Sequence, residues 1–470
     1  MENKVINFFE EITKIPHCSG SEKQLSDYLV VFARERGLSV HQDKSLNVII
    51  KKAGSKGREN ETPVILQGHM DMVCIAKKGV DIDFSKDPIP YYIDGDYIKS
   101  KGTSLGADNG IAVAMIMAIL DGDYSHPPIE ALITTDEEVG LLGAANVDGS
   151  LFKGKTLINL DSEEEGVFLA SCAGGIRNTI KLPIETKDIK KKKAYKVTIS
   201  GLMGGHSGME IHKYRASALK LLGRLLSEIA SVRIFDVTAG NAANSIADNA
   251  TVYIATNTFI DEDIEKMQKI FSEEYKVNDP DIKISFEEVP VPDVTWSKIT
   301  TKKFINALLV LPHGVLSMNT QMEGLVDTST NLSSAKVVDD HIVITGTHRS
   351  IVETKKMALV KRYVAVAELI GAQVATFGGY PGWEYVNESN IRDVFTKVYE
   401  KMTGEKAVIS AIHAGLECGI LKRNIGDIDM ISLGPNIYDV HSPKEKLSIS
   451  STNRVFELLI NVLDNMHSKL

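Results

Sequence analysis

The chain is poor in cysteine, short of positive charge and free of long apolar runs. Its four cysteines, Cys18, Cys74, Cys172 and Cys418, show no CxxC spacing and no dense framework. That excludes a disulfide-stapled scaffold and predicts free, buried thiols in reducing surroundings. The formal net charge is -9, so a phosphate backbone or an anionic membrane surface would repel the protein on average. The one marked basic run, Lys190 to Lys193, reads as a solvated turn. No apolar run approaches the ~20 residues that a bilayer span needs. The opening MENKVINFFEEITKIPHCSG carries acids and lacks the basic-then-apolar plan of a signal peptide. A cytoplasmic protein is expected, with neither nucleic acid nor membrane as partner.

What is present is an ordinary globular balance, 43% hydrophobic and 24% charged, over 470 residues. That length predicts more than one core. Residues 21–36 pattern as an amphipathic helix that starts near Ser21 and stops at Gly37. Strand-like LSVHQD, NVIIKKA and PVILQGH follow, then the apolar helix ADNGIAVAMIMAILDG with Asp108 at its N-cap. IEALITTDEE and TLINLDSEE are apolar strands ending in acids. The alternation predicts the α/β class, with helices flanking a mixed central sheet.

The texture changes after SCAGGIRN. Residues 195–290 read as βαββαβ, a ferredoxin-like order, and residues 298–378 repeat most of it. The missing first strand of the repeat is assigned to 178–185. From about 385 the α/β pattern resumes. The expected organisation is a discontinuous catalytic domain, residues 1–175 and 385–470. An α+β lid of two βαββαβ-like units is inserted at 176–384.

Four candidate metal ligands, His69, Glu138, Asp161 and His441, follow short apolar runs where buried strands would end. A fifth, Asp108, opens the apolar helix. Open α/β sheets gather chemistry at the carboxyl ends of their strands. His69 and Asp71 form H-x-D, which puts both side chains on one face of a strand and lets the carboxylate orient the ring. Alone that pair reads as a satisfied polar contact. Asp108 can cap a helix, or bridge two cations with its two oxygens. Glu137 and Glu138 are adjacent, so one can hold metal while the other faces substrate. Two imidazoles and three carboxylates suit a pair of divalent ions, with zinc the first expectation and manganese or cobalt compatible. Three carboxylates and a bridging hydroxide balance their four charges.

QGHMDMV, GADNGIA, TTDEEVGL, NLDSEEEG, GLMGGHSGMEIH, IHAGLECGI and GPNIYDVHSP occur in that order along the chain. In that combination the sequence resembles the aminoacylase/carboxypeptidase-G clan of co-catalytic zinc peptidases, and within it the aminoacyl-histidine dipeptidases. The resemblance implies that His69 and Asp161 hold one ion, Glu138 and His441 the other, and that Asp108 bridges. It implies Glu137 as general base and Asp71 as support for His69. His206 matches an oxyanion-stabilising histidine, Asn244 a substrate-binding asparagine, and Arg349 an arginine that grips a substrate carboxylate. The family's N-A-I-P-R-E is here N-S-I-A-D-N. The loop with His413, Gly415 and Glu417 is assigned to the substrate pocket.

The expected activity is hydrolysis of Xaa-His and related dipeptides with a free C-terminal carboxylate. The alternatives are an N-acyl amino acid deacylase or desuccinylase on the same metals and, more remotely, a non-catalytic binding protein. A phosphoesterase ranks low because no Gly-rich phosphate cradle is present. The resemblance implies that in dimeric members of the clan the lid histidine and asparagine serve the partner's site and the lid arginine its own. Here His206 and Asn244 lie in the first lid repeat and Arg349 in the second. The first repeat is therefore expected to play the partner's lid and one chain to hold a complete site, whether or not the protein also dimerises.

Overall fold

The computed structural model describes residues 3–466. The termini of the expected catalytic domain, residues 1, 2 and 467–470, lie outside them. The chain divides into two compact units. The first takes the chain up to Cys172, Trp383–Ala411 and Leu416 onward; the second takes Ala173–Gly382 and Ile412–Gly415. The expected α/β class is observed.

The first unit is built on an eight-stranded mixed sheet. Val64–His69, Ile129–Thr134, Thr156–Asn159 and Asp429–Ser432 are its parallel centre. The first two of these are buried along their whole length, as strands covered on both faces must be. Asp429–Ser432 lies between Thr156–Asn159 and Val167–Cys172, so the sheet is not complete without the C-terminal part of the chain. The helix Ala107–Asp121 is apolar all round and buried, with Ile111, Met115 and Ile119 fully enclosed. A second, four-stranded sheet orders Ile437–Tyr438, Lys446–Ser448, Tyr97–Ser100 and Tyr91–Asp94. It ties the approach to Asp108 to the loop that carries His441. The sequence reading assigned no strands at 91–100.

The second unit has its own core and one nine-stranded sheet. Its first half contributes Lys193–Ser200, Arg233–Ala239, Ala250–Thr256 and Lys283–Val289. Its second half contributes Gly174–Pro183, Val326–Val338, His341–Ser350 and Gln373–Tyr380, and the ninth strand, Gly314–Met318, pairs with Val326–Val338 off the line of these eight. Read from its outer edge, each half has the strand order fourth, first, third, second. The halves join through their second strands, at Thr238 with Lys336 and Ala239 with Ala335. The repeat's first strand begins at Gly174, because Gly174 and Gly175 pair with Ser350 and Arg349. Residues 412–415 belong to this unit, although the sequence reading put them in the catalytic domain. The amide of Ala173 donates to the carbonyls of Ile412 and Ala414.

Two expectations are corrected. Cys18 and Cys74 are not free: they form a disulfide, with Cα atoms 5.7 Å apart. Backbone bonds between residues 17–19 and Met72 bring the pair together, a contact that spacing along the chain does not reveal. Cys172 and Cys418 are the buried free thiols. Nor does Asp108 cap its helix. Gly106 takes the cap position, and Asp108 has an extended ψ of 105° with no side-chain cap bond. Among the described residues no helix is long and apolar enough to cross a membrane.

Candidate metal centre and substrate residues

In the first unit, His69 ends its strand, and Glu137, Glu138 and Asp161 lie just beyond the ends of the neighbouring parallel strands. His441 sits in the loop between Ile437–Tyr438 and Lys446–Ser448, with a left-handed φ of 55°. Asp108 stands at the middle. Its Oδ1 is 3.2 Å from His69 Nε2, and its Oδ2 is 3.0 Å from His441 Nε2. Asp161 approaches the same His69 nitrogen at 3.4 Å, and Glu138 approaches the same His441 nitrogen at 2.7 Å.

The ring of His69 is held from behind. Its Nδ1 lies 3.0 Å from the carbonyl of Asp71 and 3.4 Å from that residue's Oδ1, which turns Nε2 toward Asp108 and Asp161. Asp71 is fully buried and does a second task. Its Oδ1 accepts the amide of Glu137, and its Oδ2 accepts the amide of Glu138 and the hydroxyl of Ser19. One carboxylate therefore fixes a ring and the two acids beyond the next strand. Ser19 had no motif to announce it.

Electrostatics give this cluster its character. The carboxylates of Asp108 and Glu138 push the His441 imidazole up to about 11. Burial alone would lower His69, yet Asp161, Asp108 and Asp71 raise it well above the usual imidazole range. Burial raises Glu137 well above an ordinary carboxylate, with the charges of Asp161, Glu417 and Glu138 adding to it against the pull of His69. So much confined negative charge calls for cations.

The donor set fits them. His69, Asp108 and Asp161 form one group whose ligand atoms lie within 4.8 Å of one another, and Asp108, Glu138 and His441 form another. His69, Glu137 and Glu138 form a third. Glu138 Oε1 is buried and, among the described residues, lacks a hydrogen bond despite the imidazole beside it, as a ligand atom aimed at a cation would. Nitrogen and carboxylate oxygen donors suit zinc, manganese or cobalt alike.

Glu417 also stands in this unit. It is fully buried, its Oε2 accepts from Thr134 Oγ1 and Gln67 Nε2, and burial pushes it up to about 7. Its bonds run to two central strands, the arrangement of a group that braces strand ends.

The second unit gathers the remaining residues. His206 Nδ1 accepts the amides of Gly208 and Met209, at 3.3 and 3.1 Å, so the ring proton sits on Nε2. Burial and the nearby Arg349 lower its basicity, which favours the neutral ring. Arg349 is nearly buried; its Nη1 donates to the Tyr380 hydroxyl at 2.9 Å, and its Nε has no hydrogen-bond partner among the described residues. His413 Nε2 lies 2.7 Å from Ser329 Oγ, and burial, then Arg349, lowers it to about 3. These residues meet at Gly208. A Cβ there would lie 2.6 Å from the His413 carbonyl oxygen, 3.1 Å from His206 Cε1 and 3.2 Å from Arg349 Nε. Gly415 serves the same end, since a Cβ on it would strike the Tyr380 ring at 2.7 Å.

Asn244 is exposed, and its carbonyl accepts the amide of Ser207. Asn331, within the strand Val326–Val338, braces that loop by donating to the Ser245 carbonyl at 2.7 Å. Tyr380 escaped the sequence reading because a tyrosine after Gly-Gly carries no motif.

Comparison with known proteins places this geometry in context. The model for "Peptidase family M20/M25/M40" matches residues 65–465. The cytosol non-specific dipeptidase of Escherichia coli K12 is 35% identical over 98% of this chain and 97% of its own. The aminoacylhistidine dipeptidase of Vibrio alginolyticus superposes with a TM-score of 0.92 at 36% identity, covering 100% of this chain and 98% of that one. Aminopeptidase PepT of Bacillus cereus shares the fold, with a TM-score of 0.59 at 16% identity over 100% and 99% of the two chains.

Because both oxygens of Asp108 face an imidazole, its loss should cost more metal than the loss of Glu138. Asp108→Ala should empty both positions, and Glu138→Ala should leave about half the parent's content, in line with the loss of one ligand group. Elemental analysis after dialysis reads the difference. Equal retention in the two variants would reject the bridging geometry.

Proposed function

Since the chain belongs to peptidase family M20/M25/M40, we propose that it is a dipeptidase that hydrolyses dipeptides with a free C-terminal carboxylate at a two-ion centre. The observation that carries this reading is Asp108 set between His69 and His441, with Glu137 close to His69 and its amide held by Asp71. His69 and Asp161 would hold one ion, Glu138 and His441 the other, and Asp108 both. When bound, such a pair makes hydroxide available at neutral pH and polarises the scissile carbonyl. Zinc is the assigned metal.

Glu137 takes a proton from the attacking water and gives it to the leaving amine. Its place beside His69, with its amide fixed by Asp71, suits a group that must accept a proton and then release it. His206 donates from Nε2 to the oxygen on which charge develops; a neutral ring with that proton already in place needs no rearrangement. Arg349 offers a planar fork to the substrate carboxylate, aimed by Tyr380. Asn244 adds a contact to substrate. Histidine is the assigned preference at the C-terminal position, supported by the name of the Vibrio relative. The cytosol of the Escherichia coli relative's name supports a cytoplasmic location, one that leaves the Cys18–Cys74 pair open to reduction.

His206 comes from the first half of the second unit and Arg349 from the second half, yet both line Gly208 of the same chain. We therefore infer that one chain supplies the whole set of substrate residues.

Three measurements test these assignments. Glu137→Gln should keep its metal and lose at least ~10²-fold in turnover, the scale of general-base loss; near-parental turnover in the loaded variant rejects the base. Amidated dipeptides should be poor substrates, and Arg349→Met should narrow the gap between free and amidated forms; an unchanged gap moves the carboxylate site elsewhere. Mixing inactive His206→Ala and Glu137→Gln chains should restore no activity. Substantial recovery under subunit exchange would mean that His206 serves a partner's site.

A further inference from the structure

We propose that Glu445 is a positioning residue: it fixes Asp108 and His441 relative to one another by taking the four backbone amides that lead into Asp108. The assignment rests on the two-ion reading above. Glu445 is 2% exposed. Its Oε2 accepts the amides of Leu105 and Gly106 at 2.7 and 3.1 Å. Its Oε1 accepts those of Ala107 and Asp108 at 2.8 and 3.3 Å. Successive amides converge on one carboxylate only where the chain curls, and Gly106 supplies the curl with a left-handed φ of 73°. A side chain at Gly106 would also meet Met72 Sδ at 2.7 Å.

The second half of the argument is where Glu445 comes from. It lies four residues after His441, and its own amide donates to the Ser442 carbonyl. The next residue, Lys446, opens the strand that pairs with both Ile437–Tyr438 and Tyr97–Ser100. The loop that presents His441 therefore reaches back through Glu445 and grips the loop that presents Asp108. The 3.0 Å approach of His441 Nε2 to Asp108 Oδ2 is set by that grip, since neither residue sits inside a regular strand or helix turn. Glutamine cannot replace the carboxylate. Its single oxygen would serve one pair of amides, and its NH₂ would face the other pair donor to donor.

A clamp of similar chemistry stands elsewhere in the same unit and provides a control. Glu130 is 3% exposed and accepts the amides of Lys153 and Gly154. Glu130→Gln should lower the melting temperature and leave ion affinity alone.

The test compares Co²⁺ affinity, by competition with a chromophoric chelator, in the parent chain, Glu445→Gln, Glu130→Gln and Asp108→Asn, each checked for folding by circular dichroism. The visible Co²⁺ spectrum and the separate kcat and KM values are recorded alongside. Glu445→Gln should bind Co²⁺ about 10–100-fold more weakly, the usual effect of losing a group that orients ligands. It should shift the Co²⁺ spectrum and lower kcat with little change in KM. If it melts earlier yet binds Co²⁺ and turns over like Glu130→Gln, Glu445 only stabilises the fold and the proposal is overturned. If Glu445→Gln does not fold, Glu445→Asp, which keeps two oxygens on a shorter stem, is read by the same criteria. Asp108→Asn separates the two readings: parental Co²⁺ binding there would sink the two-ion centre itself, whatever Glu445→Gln does.

Discussion

Asp108 faces two imidazoles at once, one through each carboxylate oxygen. That single requirement explains much of the first unit. His69 must end a central strand, and Asp161 must follow the adjacent one, so those two strands must be parallel and in register. His441 must arrive from a distant part of the sequence, and it does so because Asp429–Ser432 is threaded into the sheet beside Thr156–Asn159. The helix behind Asp108 is buried on every side, which leaves its first turn little room to shift. A buried cluster of acids is costly unless cations or donors meet every oxygen. The donors are visible in the amides that reach Asp71 and Glu445.

The second unit solves a different problem. Two copies of one βαββαβ pattern are fused edge to edge into a continuous sheet. The first copy alone would leave Arg233–Ala239 as an open edge, prone to pair with another chain, whereas in the second copy Gly314–Met318 already covers part of Val326–Val338. The junction at Thr238 and Ala239 covers the end of that edge within a single polypeptide. It also brings His206 and Arg349, 143 residues apart in sequence (349 − 206), together beside Gly208.

The sequence makes the donors visible because an acid or histidine at the end of an apolar run is an unusual place to leave polarity. It also makes the α/β class and the repeat pattern visible, because both write themselves into the period of apolar residues. What it hides are contacts between loops. Glu445 stands in SPKEKL and reads as surface charge, although it is buried. Ser19 and Cys18 look like a turn until residues 17–19 pair with Met72. Asp108 has the residue type and place of a helix cap, but Gly106 and the Glu445 carboxylate take over that work and free its side chain. Each of these depends on residues brought together by the tertiary fold, and local pattern carries no trace of them.

The order of strands along the chain also governs how the molecule can be made. Gly174–Pro183 leaves the ribosome before any strand of the first repeat, yet both of its partners, His341–Ser350 and Gln373–Tyr380, come after that repeat is finished. Lys193–Val289 can assemble its four strands locally while this earlier strand waits unpaired. The first unit waits longer still: Val167–Cys172 borders Asp429–Ser432, which is made more than 250 residues later (429 − 172). Contacts of such separation carry a large loop-closure cost and form late. In this chain the inserted unit is the first that can fold, and the acidic strand ends that it interrupts are the last to be assembled.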